Sequence, residues 1–377
     1  MASKTMTTIP TMTAVVIHEA GGPEVLKVQQ WPRPRPIVGQ VLIRVKAFGL
    51  NRSEMFTRHL VFRYKGIESL SRGIVSGSMS SYHSGGSGEN HEESSNILER
   101  RGSLTGHSPS VKFPRVLGIE AVGLVEESPG NEFEKGEVVA TAMGGMGRLF
   151  DGGYAEFTCV PAGQVQAVKT KIPWEQLGAL PEMMKTAWGS LYLSLQLKPE
   201  DKLLIRGGTT SIGLAALALA KGNCASVSLT TRKPERVEML KNSGADDVFI
   251  DNGSIAKEVR RRHPEGFSKI LELVGVTVLA DSLKCAKEQG IVCLTGIAGG
   301  KWMMDHINPM ELIPSTVSLT IYASTSPNKF AALDDIAQKV VDGSIKIPIK
   351  TYRLDQIVEA HKAMEENTAG AKIVVLT

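Results

Sequence analysis

The chain predicts an α/β fold, a doubly wound parallel sheet joined to a second, β-rich domain. Two observations predict it. In the middle third, short apolar stretches alternate with helix-length segments, the rhythm of a parallel sheet covered on both faces. Before that, short β-rich stretches such as Val41-Leu42-Ile43-Arg44-Val45 and Ala121-Val122-Gly123-Leu124-Val125 are broken by Gly and Pro turns.

The alternation begins with Leu203-Leu204-Ile205, a short strand, followed by Gly207-Gly208 and a small-residue helix over 211–221. A strand at 227–230 leads into a helix with Pro234 in its first turn and Gly244 at its C-terminus. A third strand is expected at 248–250, a helix at 254–262 and a strand at 269–274. A helix over 278–289, ended by Gly290, then leads to a strand at 291–296, and a last strand falls at 317–323. The tail carries helices at 330–342 and near 354–366, then a strand at 372–376 that returns to the first domain. The implied domains are 11–180, completed by 324–377, and 181–323, with residues 1–10 a flexible N-terminus.

Residues 59–105 break the rhythm. They are rich in Ser and Gly, as in Ser84-Gly85-Gly86-Ser87-Gly88, with no sustained apolar period. Such composition cannot bury enough surface to offset ordering entropy, so a disordered or mobile insert is expected. His83, His91, Glu92 and Glu93 within it read as solvated polar residues rather than a metal site.

Of the 377 residues, 42% are hydrophobic and 22% charged, ordinary for a globular protein, and the net charge is only +4. The densest basic cluster, Arg260-Arg261-Arg262-His263, precedes Pro264 and reads as a solvated helix end. No nucleic-acid partner is expected. Cys159, Cys224, Cys285 and Cys293 form no Cys-x-x-Cys pair, which points to a reducing compartment. The start MASKTMTTIP lacks a secretory apolar core, and no apolar run approaches the roughly 20 residues needed to span a bilayer. A soluble cytoplasmic protein is expected.

The chemistry centres on Arg206-Gly207-Gly208-Thr209-Thr210-Ser211-Ile212-Gly213, between a strand and a helix. Glycines there allow a tight turn and close approach to a pyrophosphate, which meets the positive end of the helix dipole. The strict G-x-G-x-x-G is absent, since Thr210 and Ser211 stand where glycine is usual. At the end of the second strand an NAD site places an acidic residue on the ribose 2′-hydroxyl. This chain instead has Thr230-Thr231-Arg232-Lys233, with Arg236 a turn later, which suits a 2′-phosphate. NADPH is the expected cofactor.

Gly22-Pro23-Glu24-Val25-Leu26, Asn51-Arg52-Ser53-Glu54, Gly118-Ile119-Glu120, Gly152-Gly153-Tyr154-Ala155-Glu156, Thr186-Ala187, Gly296-Ile297 and Gly370-Ala371-Lys372 carry a resemblance over nearly the whole chain. It resembles the medium-chain dehydrogenase/reductase superfamily, in its zinc-free quinone oxidoreductase branch, which includes zeta-crystallin-like and enoyl reductase-like members. The resemblance implies a Rossmann domain and a GroES-like substrate domain. Zinc alcohol dehydrogenases of the superfamily carry Cys where this chain has Asn51, and Gly-His-Glu where it has Gly118-Ile119-Glu120. The four-cysteine structural lobe is missing too, so no metal is expected.

The implied reaction is direct hydride transfer from NADPH to a quinone or a small α,β-unsaturated or electron-poor carbonyl compound. The resemblance places Asn51 by the nicotinamide ribose and Thr186 at the cofactor's phosphate or ribose region. Gly275 and Gly296-Ile297-Ala298 are to line the nicotinamide end, and Phe56 and Arg58 the substrate. Gly275 and Gly296 also follow parallel strands, where such folds bind ligands. Read by itself, Asn51 serves equally as a turn former. Relatives place tyrosines after the Asn motif, but here Phe56 stands there and Tyr64 and Tyr82 fall in the insert, so no general acid is named. A homodimer through the edge at 317–323 is implied. Three alternatives stay open, an enoyl reductase, a non-catalytic NADPH-binding protein and a Rossmann-like enzyme that uses NAD. The insert itself reads as translated non-coding sequence or as a substrate lid.

Overall fold

A computed structural model of the chain describes residues 10–59, 111–324 and 332–377. The insert lies outside the described residues apart from His59, as do Tyr64, Tyr82 and residues 1–9.

The first part of the chain is a β-rich body. Its strands are β1 (Thr11–Ile17), β2 (Lys27–Pro32), β3 (Gln40–Gly49), β4 (Arg115–Val116), β5 (Glu120–Glu127), β6 (Val138–Ala142), β7 (Phe157–Pro161) and β8 (Val165–Ala167). Helix α1 (Arg52–His59) leaves directly from β3. Helices α2 (Trp174–Leu177) and α3 (Pro181–Trp188) lead onward, with Pro in the first turn of α3.

The α/β body follows with β9 (Lys202–Arg206), α4 (Ser211–Ala220), β10 (Ser226–Thr231), α5 (Val237–Asn242), β11 (Asp247–Ile250), α6 (Ala256–Arg262), β12 (Phe267–Glu272), α7 (Leu279–Lys284), β13 (Ala286–Leu294), α8 (Pro309–Leu312) and β14 (Ser318–Ile321). The tail adds α9 (Leu333–Val341), β15 (Ile349–Arg353), α10 (Ile357–Glu365) and β16 (Lys372–Leu376).

The six strands of the α/β body are parallel, in the order β11-β10-β9-β12-β13-β14. This is the Rossmann order, reversing direction beside β9. The central strand explains the two covered faces. Leu203 and Ile205 enter the core shared with α3 and α4, while Leu204 between them enters the core of Phe249, Val259 and Phe267 on the other side. The small residues of α4, with Ala215, Ala216 and Ala220 buried, let that helix lie close to the sheet.

The other sheet runs β15-β16-β3-β5-β6-β8, with β7 also on β3, and β2-β1-β4 packs beside it. Its core is built by Val15, Ile17, Ile43, Phe48 and Val125. The closing strand β16 pairs antiparallel with β3, Val374 opposite Gly49, so the C-terminus completes the first body. That pairing brings Lys372 beside residues near position 50.

One expected element is corrected. The helix over 278–289 stops at Lys284, and β13 already begins at Ala286. The apolar spacing of Leu279, Leu283 and Ala286 mimics continued helix, but Phe267 N–H donates to the Cys285 carbonyl at 2.9 Å and Ala286 pairs with Phe267. The extra residues form a bulge before Lys269 meets Ile291, with Gln289 at φ 60°.

Candidate active site

The crevice at the strand-order reversal holds the glycine turn. Gly207 sits at φ 94°, a left-handed conformation that a side chain would strain. A Cβ on Gly213 would lie 2.5 Å from the Gly207 carbonyl oxygen, so Gly213 lets α4 approach the turn. One on Gly208 would lie 2.7 Å from the Leu229 side chain. Thr210, by contrast, has φ −75° and needs no glycine. Its hydroxyl accepts from Gly213 N–H at 3.0 Å and donates to the Gly207 carbonyl at 2.8 Å, capping α4. Thr209, Ser211 and Ile212 are half-buried around that cap. The departure from G-x-G-x-x-G is thus a capped helix start that leaves the Ser211 and Ile212 amides for a pyrophosphate.

At the end of β10, Thr231 is buried and its hydroxyl accepts from Lys233 N–H at 3.1 Å, shaping the turn. Arg232 and Lys233 stand exposed, and Arg236 reaches the Asn367 carbonyl at 3.5 Å. Across from them is a residue the sequence reading left out. Arg52 is half-buried, and burial together with the Arg232 charge holds its guanidinium below the ordinary value. The two like charges repel, which an anion bound near both relieves.

Asn51 lies in a buried polar network. Its Nδ2 donates to Glu120 Oε1 at 2.8 Å, and its Oδ1 accepts from Lys372 Nζ at 2.8 Å. Lys372 Nζ also donates to Glu120 Oε1 at 2.9 Å and to the Leu50 carbonyl at 3.2 Å, using all three of its hydrogens. Glu120 Oε2 accepts from Glu182 N–H at 2.8 Å, and Glu182 Oε1 accepts from Thr186 Oγ1 at 2.8 Å. Burial raises the Glu182 carboxyl above its ordinary range. Ser190 Oγ donates to the Thr186 carbonyl at 2.8 Å and shares a hydrogen with Thr295 Oγ1 at 2.9 Å. A continuous polar chain therefore runs from Lys372 through Asn51 and Thr186 to Thr295, next to Gly296. A Cβ on Gly275 would lie 3.2 Å from the Gly296 carbonyl, so these two turns meet. Ile297 and Ala298 follow, with Ala298 N–H donating to the Leu273 carbonyl at 3.0 Å. Asn51, Thr186, Gly275 and Gly296-Ile297-Ala298 thus share one side of the crevice.

Helix α1 has two faces. Glu54, Thr57 and Arg58 are buried, while Arg52 and Phe56, one turn apart, are half-buried. Glu54 accepts from Asn51 N–H (2.8 Å), Ile119 N–H (2.9 Å) and Tyr154 Oη (2.5 Å). Burial pushes its carboxyl up to about 7 against those donors. His361 Nδ1 lies 2.9 Å from an Arg58 N–H and must accept, so its Nε2 carries the proton and donates to Tyr154 Oη at 3.0 Å. Burial, reinforced by the Arg58 charge, lowers His361 to about 3.

This corrects the expectation that Arg58 lines the substrate. Its fully buried guanidinium is spent on His361, the Gly21 carbonyl (3.0 Å), His59 and Glu365, and it fastens α1 to α10. Phe56 is half-buried, its ring 5.5 Å from that of Trp302.

Two family models match, one described as an alcohol dehydrogenase GroES-like domain, over residues 89–170, and one as a zinc-binding dehydrogenase, over 243–375. The first match begins inside the stretch the sequence sets apart at 59–105. The human quinone oxidoreductase is 26% identical over 377 residues, covering 97% of this chain and 98% of its own. The chain belongs to the medium-chain dehydrogenase/reductase superfamily. It falls in the quinone oxidoreductase branch, and the enzyme of that name from Lama guanicoe is 25% identical over 97% of both chains. Among solved structures, the Pseudomonas syringae pv. tomato quinone oxidoreductase superposes with TM-score 0.77 at 20% identity, covering 97% of this chain and all of that one. A mycobacterial protein solved in complex with NADPH superposes at 0.74 with 22% identity, again over 97% and 100%. Membership makes this chain an oxidoreductase by descent. No helix among the described residues is long and apolar enough to cross a membrane.

Within this superfamily framework, Arg52, Glu120, Glu182, Lys372 and Trp302 are the crevice residues that the sequence reading did not single out. Glu120 and Lys372 both lie in segments that carry the family resemblance, but their ion pair spans 252 positions and leaves no local pattern.

Proposed function

We propose that the protein is an NADPH-dependent, zinc-independent reductase that passes a hydride to a quinone or a small electron-poor carbonyl compound. The observation that carries the cofactor choice is the cationic pair Arg52 and Arg232, with Lys233 beside it and no acidic residue at the end of β10. The residues present fit the dinucleotide. The turn at Gly207 and the capped start of α4 receive the pyrophosphate, and Arg52, Arg232 and Lys233 take the 2′-phosphate. Bound there, the nicotinamide supplies the hydride. The chain's part is to orient that ring through Thr186 and the turns at Gly275 and Gly296, and to exclude water from the crevice. Asn51 does so from inside the network, since its amide is already held at both ends.

Zinc independence is supported by the same network. Asn51 and Ile119 stand where metal ligands would be, and the oxygens of Asn51 and Glu120 are engaged by the Lys372 ammonium. The reductase reading draws on the named activity of the quinone oxidoreductase relatives. We further propose a homodimer through β14, which ends the sheet with Ile321 65% exposed, and a cytoplasmic location, which suits four unpaired cysteines.

The decisive experiment measures NADPH and NADH affinity for the wild type and for Arg52→Ala/Arg232→Ala. Losing charge-assisted contacts should weaken NADPH roughly tenfold to a hundredfold and leave NADH unchanged. Equal affinities in the wild type refute the cofactor assignment. Elemental analysis showing stoichiometric zinc refutes the metal-free part.

A further inference from the structure

Trp302 follows the turn Gly296-Ile297-Ala298, to which the proposed function assigns the nicotinamide end of the crevice. The segment before it continues along the carboxyl edge of the sheet, Ala298 N–H donating to the Leu273 carbonyl at 3.0 Å and Gly299 N–H to the Val274 carbonyl at 2.7 Å. Trp302 therefore emerges four residues beyond Ala298. From the other body, α1 presents Phe56 one turn after Arg52. The two rings meet across the crevice at 5.5 Å between centroids and 76° between planes, and both residues are half-buried.

We propose that Trp302, set against Phe56, is the specificity determinant that makes this crevice prefer planar ring acceptors over acyclic ones. The proposal rests on the reductase reading above. The indole face is electron-rich, and an electron-poor ring stacked on it gains quadrupolar attraction as well as buried area. Phe56, its ring steeply inclined to the indole, closes the side of such a stack. An acyclic enone has no ring face and gains little from the pair. The competing role is a clasp that merely holds the two bodies together.

Full-length wild type, Trp302→Ala and Trp302→Phe are compared with 1,4-naphthoquinone and with methyl vinyl ketone, NADPH affinity being measured in parallel. Aromatic pairing of this kind is worth about a three- to tenfold factor. The KM for naphthoquinone should rise by about that factor in Trp302→Ala and recover in Trp302→Phe. The KM for methyl vinyl ketone and the NADPH affinity should stay level. Equal shifts for both acceptors, or a matching loss of NADPH affinity, assign the pair to clasping and overturn the proposal. If the wild type turns over neither acceptor, the reductase reading fails separately. Calorimetric binding of naphthoquinone to the NADP+-loaded protein then decides on Trp302. Weaker binding in Trp302→Ala upholds the proposal, and equal or absent binding in the wild type overturns it.

Discussion

Replacing Lys372 by Met removes the ammonium on which the polar network depends. Glu120 is fully buried, and Lys372 is 2% exposed. The substitution leaves the Glu120 carboxylate beside buried Glu182 with no counter-charge, and strips a donor from Asn51 Oδ1 and from the Leu50 carbonyl. At 2.9 Å the bare attraction is about 6 kcal/mol for an effective dielectric near 20, an upper bound on the pair. Breaking one side of such a pair costs about 3–5 kcal/mol, while removing both charges costs far less. Urea unfolding of Lys372→Met, Glu120→Gln and the double variant at pH 7.5 tests this. Each single variant should lose roughly 3 kcal/mol or more, and the double variant should recover at least about 2 kcal/mol relative to additivity. Single losses under about 1 kcal/mol, or strict additivity, refute the claim that this pair anchors the site.

Gly213→Ala places a methyl 2.5 Å from the Gly207 carbonyl oxygen, a backbone atom that cannot swing aside. It should destabilise by about 1–3 kcal/mol and weaken dinucleotide binding, read by thermal shift with and without NADPH. His361, lowered from 6.5 to about 3, contributes stability that is present above pH 6.5 and lost as pH falls toward 3. Between pH 7 and 4 the wild type should lose about 3 kcal/mol more than His361→Gln, and parallel pH profiles would refute a buried neutral imidazole. Glu54, raised from 4.5 to about 7, acts in the opposite sense, favouring the fold below pH 4.5 and ceasing to as pH rises through 7. Glu54→Gln should therefore flatten the wild type's decline in stability between pH 5 and 8, checked by the same denaturation series.

The α/β body was legible because its signals are local. Leu203-Leu204-Ile205 alternates between two cores, and Gly207 and Gly213 are required by a positive φ and a close helix approach. The closing strand was legible too, at 372–376, since its apolar run is uninterrupted. The 278–289 helix was misread because a bulge pairing of Phe267 with Ala286 outweighs a local helical period. In the site, the turns at Gly275 and Gly296 meet, and hydrogen bonds through Ser190 link Thr186 to Thr295 beside them. Those missed are bound by partners far away in sequence. Lys372 meets Glu120, Glu120 accepts from Glu182 N–H, and Trp302 meets Phe56. A guanidinium such as that of Arg58 reads as a ligand contact from position alone, and only the fold shows it fully engaged by the protein.

The central claim is tested most directly by one measurement, steady-state oxidation of NADPH and of NADH by the purified full chain with 1,4-naphthoquinone as acceptor, followed at the nicotinamide absorbance. The account predicts turnover with kcat/KM for NADPH at least about tenfold above that for NADH. NADPH that binds tightly but is not oxidised by the quinone or by methyl vinyl ketone, or NADH used as well as NADPH, would contradict it.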